Sequence, residues 1–126
     1  MKTFLLAVIS VIVSVSSYAE SNWIYISTNV DDDVVFIDNN SFQKSGDSVT
    51  YWRRMNYKKR TAGGTLSTLA QQTINCRTRE IIMRYLMLYD DINTNGKLTS
   101  SFDPKDSWEP IAPGTVRWSL LEHVCK

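Results

Sequence analysis

Short apolar runs alternate with polar, turn-forming segments along most of the chain, a pattern typical of β-strands. In the first run, Trp23 and Tyr25 fall on one face of an extended segment, and Ile24 and Ile26 fall on the other. Residues that favour turns separate the later runs. The pattern predicts about six strands, at residues 22–28, 34–38, 48–57, 66–76, 80–89 and 97–102.

Residues 80–89 also fit a helix, because Met, Leu and Glu are good helix formers, and the same ambiguity touches residues 66–72. We interpret 80–89 as a strand for two reasons. It follows another strand after one tight connection at residues 77–79. It is also apolar on both sides, as expected of a central strand that is covered on both faces.

The spacing of apolar residues changes near the end of the chain. Pro110, Pro113 and Gly114 interrupt any strand there, and Thr115 is suited to cap a helix. Apolar residues then recur at the spacing of an amphipathic helix of about ten residues. They are Val116, Leu120, Leu121 and Val124. Because an antiparallel sheet needs one covered face, we predict an α+β fold with this helix packed on one face of the sheet.

The first nineteen residues have the composition of a secretory signal peptide. A positive start is followed by a short apolar run, and the small residues Ser17 and Ala19 predict cleavage after Ala19. The alternative is an N-terminal membrane anchor, but the apolar run falls short of the roughly 20 residues that a spanning helix needs. No cysteine stands at the cleavage site to carry a lipid. We expect residues 20–126 to form one exported domain with no transmembrane segment or lipid anchor.

Two cysteines follow the leader, Cys76 and Cys125. Export into an oxidising compartment favours a disulfide between them. The alternatives are an intermolecular bridge and two buried thiols. The predicted bridge would tie the last helix to the sheet.

The residue inventory argues against several classes of protein. Removing Lys2 from the 14 basic residues leaves as many as the 13 acidic ones, and that balance is unlike a nucleic-acid binder. His123, the only histidine, lies in no nucleophile motif and suits a helix C-terminus. The acidic segments 31–33 and 90–96 lack the spacing of a calcium loop. We predict no catalytic residue, no cofactor and no metal site.

Basic residues cluster after the third predicted strand begins, and aromatic residues are interleaved with them. Such a cluster can bind anionic partners, although the alternative is ordinary charge for solubility. Arg53 and Arg54 are neighbours on a strand, so only one of them can join an outer patch. The candidate binding surface consists of Arg54, Lys58, Lys59 and Arg60.

Spaced tryptophans, a Pro-Gly-Thr entry to the last helix and a terminal cysteine occur in one order along the chain. The segments are Trp23, 35–38 with Ser41, 46–52, Cys76, 108–115 and 124–125. This arrangement resembles the surface-adhesin protein E family of Gram-negative bacteria over nearly all of the chain after the leader. The resemblance implies a bent antiparallel sheet whose concave face holds the C-terminal helix through the cysteine pair.

The same resemblance implies attachment to host cells and matrix glycoproteins. The family includes a surface lipoprotein, whereas this sequence has no lipidation cysteine. We therefore predict an exported, non-enzymatic binding protein, periplasmic or secreted, that contacts extracellular-matrix glycoproteins, sulfated glycans or other anionic partners. The alternative is a periplasmic structural or accessory protein with no adhesive role.

Overall fold

Eight strands and one α-helix form the part of the chain that the computed structural model describes, namely Ser10, residues 20–104 and residues 107–126. The predicted leader lies outside these residues, except for Ser10. The strands are β1 Trp23–Thr28, β2 Val34–Asp38, β3 Gln43–Ser45, β4 Ser48–Asn56, β5 Ser67–Asn75, β6 Glu80–Tyr89, β7 Leu98–Phe102 and β8 Glu109–Pro110. A 3₁₀ turn spans Ile92–Thr94, and helix α1 spans Val116–Val124. In the described residues, no helix is long and apolar enough to cross a membrane.

All strand pairs are antiparallel, and the main order is β1-β2-β4-β5-β6-β7. These six strands confirm the predicted set, with β2 and β6 at the predicted bounds. Two short strands lie off this path: β3 pairs with β4, and β8 pairs with β6. The sequence prediction missed β3 because its three residues are polar and exposed, so they carry no apolar signal.

The expectation that Pro110 interrupts any strand was wrong. Pro110 belongs to β8, where it lies opposite Glu80. Proline cannot donate to a sheet ladder, so it is tolerated where its nitrogen faces away from a partner strand. A two-residue strand at the periphery of the sheet meets that condition.

Residues 80–89 form strand β6, as predicted, and not a helix, but one of the two reasons given for that prediction was wrong. Its residues pair with β5 over the whole strand, with Arg84 as the extra residue of a β-bulge. It is not covered on both faces, because only Ile81 is buried while Arg84 and Tyr85 are exposed. Helix α1 has nine residues and covers only one side of the sheet.

The hydrophobic core lies between α1 and one face of the sheet. Leu120, Leu121 and Val124 are the buried residues of the helix. They pack with buried residues of the strands and of the connection to the helix, which are Val35, Ile37, Val49, Tyr51, Ile74, Ile81 and Ile111. Thr115 caps the helix as predicted, with its hydroxyl oxygen accepting from the Trp118 amide at 3.2 Å.

The predicted disulfide is confirmed between Cys76, which follows β5, and Cys125, at the end of α1. Both cysteines are partly buried against the core cluster. The bond therefore holds the covering helix to the middle of the sheet.

The acidic residues around the 3₁₀ turn are occupied by backbone amides. An oxygen of Asp90 accepts from the Lys97 amide at 2.7 Å, and Asp91 caps the turn by accepting from the Ile92 amide at 2.8 Å. These contacts fit the interpretation of 90–96 as a turn. In the other acidic segment, Asp33 accepts from the Lys58 amide at 3.0 Å.

Gly96 is expected to tolerate no side chain in this turn. Its φ is +73°, and a β-carbon would collide with the side chains of Asp90 and Asp91. A left-handed conformation alone costs an L-residue roughly 1–2 kcal/mol, so Gly96→Ala is expected to lose more than that. Gly46 is the matched control, because its φ is +58° but open space surrounds it. Urea unfolding of both variants measures the difference; equal losses would contradict the steric argument.

Candidate binding surface on the open face of the sheet

No helix in the described chain covers the second face of the sheet. Side chains alternate along a strand, so Tyr51 and Arg53 point toward α1 while Trp52 and Arg54 point away from it. Cross-strand pairing extends this second set over five strands, β1, β2, β4, β5 and β6. We call this set the open face; its members are Trp23, Tyr25, Phe36, Trp52, Arg54, Leu69, Gln71, Tyr85 and Met87.

At one side of the open face, Arg54 lies between aromatic rings. Its guanidinium carbon is 4.6 Å from the ring centre of Trp23 and 5.0 Å from that of Phe36. Tyr25 meets Phe36 edge to face, with ring centres 6.3 Å apart. Partial burial lowers the pKa of Arg54 from its ordinary value, and its buried Nε has no hydrogen-bond partner among the described residues. Cation–π contacts therefore hold a charged group that has no carboxylate partner here.

At the centre of the open face, Trp52 and Tyr85 stack with their ring planes 16° apart and their centres 6.5 Å apart. They form one wall of a groove of about 550 Å³. Its other lining residues are Leu86, Met87, Ser101, Phe102 and Asp103. Tyr85 is 47% exposed and Phe102 is 46% exposed, so the groove presents flat aromatic surface to solvent.

A more polar groove of about 480 Å³ adjoins the first one and shares Tyr85 and Asp103 with it. Arg84, the bulge residue of β6, lines this groove. Its guanidinium carbon lies 5.8 Å from the Trp108 ring centre, and its Nε donates to the Thr73 hydroxyl at 3.3 Å. The bulge turns this arginine toward an aromatic ring 24 positions further along the chain.

The structure separates the predicted site residues. Arg54 is on the open face, whereas Lys58, Lys59 and Arg60 are exposed in the loop after β4. Lys58 forms an ion pair with Asp32 at 3.2 Å. Arg60 donates to the carbonyl oxygens of Gly64, at 3.0 Å, and of Asp90, at 2.7 Å.

Two of the loop cations are therefore engaged by neighbouring groups, which weakens the positive potential of the loop. Lys59 is exposed, and among the described residues it has neither an ion pair nor a side-chain hydrogen bond. Arg53, the neighbour of Arg54, points to the covered face and is only 6% exposed, as strand alternation requires.

The sequence prediction missed most of the open face. It noted that aromatic residues are interleaved with the basic cluster, but it did not place Arg84, Trp52 or Tyr85 in the candidate site. Alternation along β4 is a signal that assigns Trp52 to the same face as Arg54. Nothing local in the sequence pairs Arg84 with Trp108.

His123 contacts residues in and just after the turn that follows β2. Its Nε2 hydrogen-bonds the side-chain oxygen of Asn39 at 2.9 Å, and its ring meets Phe42 edge to face. Burial, and then the charge of Lys126, lower the pKa of His123 from its ordinary value. These contacts give His123 a role in joining α1 to the turn after β2.

A family model described as surface-adhesin protein E matches residues 23–126. The chain also resembles solved structures of Haemophilus influenzae protein E. The match to one of them is 18% identical, spans 86% of each chain and has a TM-score of 0.63. The match to a second crystal form is 18% identical, spans 86% of this chain and 90% of the other, and has a TM-score of 0.64. Protein E from non-typeable Haemophilus influenzae is 17% identical over 86% and 78% of the two chains, with a TM-score of 0.59. Curated protein sequences give no match.

Proposed function

Because this chain belongs to the surface-adhesin protein E family, we propose that it is an exported, non-enzymatic binding protein whose open face attaches to sulfated glycan chains of the extracellular matrix. Family membership supports an adhesin-like role. The position of the aromatic and basic side chains supports the choice of ligand.

The observation that carries the proposal is the pairing of arginines with aromatic rings on the open face and in the polar groove that adjoins it. Arg54 and Arg84 lie over tryptophan rings, and neither forms an ion pair among the described residues. A guanidinium binds sulfate through parallel hydrogen bonds. Flat rings such as the Trp52–Tyr85 stack offer an apolar surface against which the C–H face of a sugar ring packs. A sulfated polysaccharide presents both groups at repeating intervals.

Retention on immobilised heparin tests this assignment. The double change Arg54→Gln and Arg84→Gln is expected to lower affinity by about tenfold or more, because each hydrogen bond to a charged group contributes about 1.5–3 kcal/mol. Arg77→Gln is the matched control, since Arg77 is exposed in the turn after β5 and pairs with Asp47. Elution at the same salt concentration for native and double-variant protein would contradict the proposal.

The loop residues are expected to contribute less. Changing Lys58, Lys59 and Arg60 to Ala removes three charges, but exposed charges are screened beyond about 8 Å at physiological ionic strength. We expect this triple variant to fold and to elute at slightly lower salt than the native protein. A larger shift than that of the Arg54 and Arg84 double variant would place the binding surface on the loop instead.

The alternative function, a periplasmic accessory protein, differs in location. Cell fractionation with immunodetection distinguishes the two, because an adhesin must reach the cell surface or the medium. Protein found only in the periplasm would support the accessory role and would make heparin retention irrelevant to function.

A further inference from the structure

A separate cavity lies on the opposite side of the sheet, beneath the first turn of α1. Its volume is about 340 Å³. The lining side chains come from β4, β5, β6, α1 and the loop after β1. They are Asn29, Arg53, Met55, Gln72, Met83, Thr115, Val116, Arg117 and Leu120. We call it the Arg53 cavity.

Arg53 carries a charge that the described protein does not neutralise. The residue is 94% removed from solvent, since only 6% of its surface is exposed. Its one side-chain hydrogen bond in the described chain runs from Nη1 to the Thr68 hydroxyl at 3.1 Å. The ion pairs of the described residues are formed by Lys58, Arg77 and Arg117. A guanidinium buried without a counter-charge is costly, and this burial lowers its pKa from the ordinary value.

Other groups around the cavity are also donors. Gln72 is 3% exposed, and its carbonyl oxygen is occupied by the Tyr51 hydroxyl at 3.0 Å, so its amide N–H groups are directed elsewhere. The N-terminus of α1, with Thr115 and Val116, adds backbone N–H groups and the positive end of the helix dipole. Arg117 lies at the rim, where Glu109 pairs with it at 2.6 Å. The polar part of the cavity is therefore suited to an anion.

Apart from Asn29, whose side chain is hydrogen-bonded to residues 31 and 33, the rest of the lining is apolar. Four apolar residues line the same space, namely Met55, Met83, Val116 and Leu120. A hydrated inorganic ion would leave these side chains without an apolar group to pack against. A cavity of this volume lies within the range of small-molecule sites, roughly 300–1,000 Å³. We propose that the Arg53 cavity binds an organic acid with one carboxylate and a short aliphatic tail, with the carboxylate paired to Arg53 and the tail against Met55 and Met83.

This site is independent of the open face, because Arg53 and Arg54 project to opposite sides of β4. Calorimetric titration with sodium octanoate below its micelle concentration tests it, with 1-octanol as the uncharged probe of equal tail length. Octanoate is expected to bind at least about tenfold more tightly than octanol, the factor that a charged hydrogen bond supplies. Equal binding of the two probes would overturn the proposal.

Arg53→Met keeps the length and apolar stem of the side chain while removing its charge. This variant is expected to lose octanoate affinity by about tenfold or more. Its unfolding temperature without ligand is expected to equal or exceed that of the native protein, because an unpaired buried charge is gone. Arg77→Met, on the surface turn after β5, is the matched control and should bind octanoate as the native protein does. Native affinity in Arg53→Met would overturn the assignment.

A measurement on the native protein keeps the proposal testable if Arg53→Met fails to fold. In an amide NMR titration, octanoate is expected to shift the side-chain amide of Gln72 and the backbone amides of Val116 and Arg117. Shifts confined to residues of the open face would place the probe there and contradict the Arg53 cavity.

Discussion

Val124→Asp is expected to be among the most destabilising single changes in this protein. Val124 is 3% exposed and packs in the core between α1 and the sheet. An aspartate there would bury a carboxylate for which the cluster supplies no positive partner, and losses above about 4 kcal/mol arise from this mechanism. A loss of that size approaches the whole stability of a small domain, about 5–15 kcal/mol. Circular dichroism during urea unfolding measures it.

The control introduces the same charge on the same helix. Ser119 is only partly buried and does not belong to the core cluster. Ser119→Asp is therefore expected to change the free energy of unfolding by about 0.5 kcal/mol or less. Similar losses from the two variants would mean that α1 does not cover the sheet through its Leu120, Leu121 and Val124 side.

Removal of the disulfide is expected to have the second large effect. The bond joins positions 49 residues apart, and the loss of a native disulfide from a small secreted domain typically costs 2–5 kcal/mol, about 4 for a loop of this length in the chain-entropy model. The double change Cys76→Ser and Cys125→Ser is the cleaner variant, because it leaves no free thiol. Both positions touch the core, so some of the loss will come from packing.

Reductant separates the bond from the substitutions. Dithiothreitol is expected to lower the unfolding midpoint of the native protein toward that of the double-serine variant and to leave the variant unchanged. Mass spectrometry of purified native protein should show two hydrogens fewer than the dithiol form. A native midpoint that is indifferent to reductant would show that the bond adds nothing to stability.

Local sequence determined most of the secondary structure. Alternation of apolar residues gave the two faces of β1, short apolar runs gave the bounds of β2 and β6, and Thr115 marked the start of α1. These signals depend only on residues one to four positions apart. The disulfide was predictable for another reason: two cysteines allow a single internal pairing. Alternation also required Arg53 and Arg54 to separate, although it did not say which one would be covered.

Only the tertiary structure decided where the candidate sites lie. Helix α1 covers the face of β4 that carries Arg53. Arg54 therefore lies on the uncovered face, among aromatic rings. The register of β6, with its bulge, brings Arg84 to Trp108, and the first turn of α1 lies over a cavity beside Arg53. These contacts are between residues far apart in sequence, so no local sequence pattern predicts them. They depend on which face of the sheet the nine-residue helix covers, because the burial of apolar surface involves the whole domain at once.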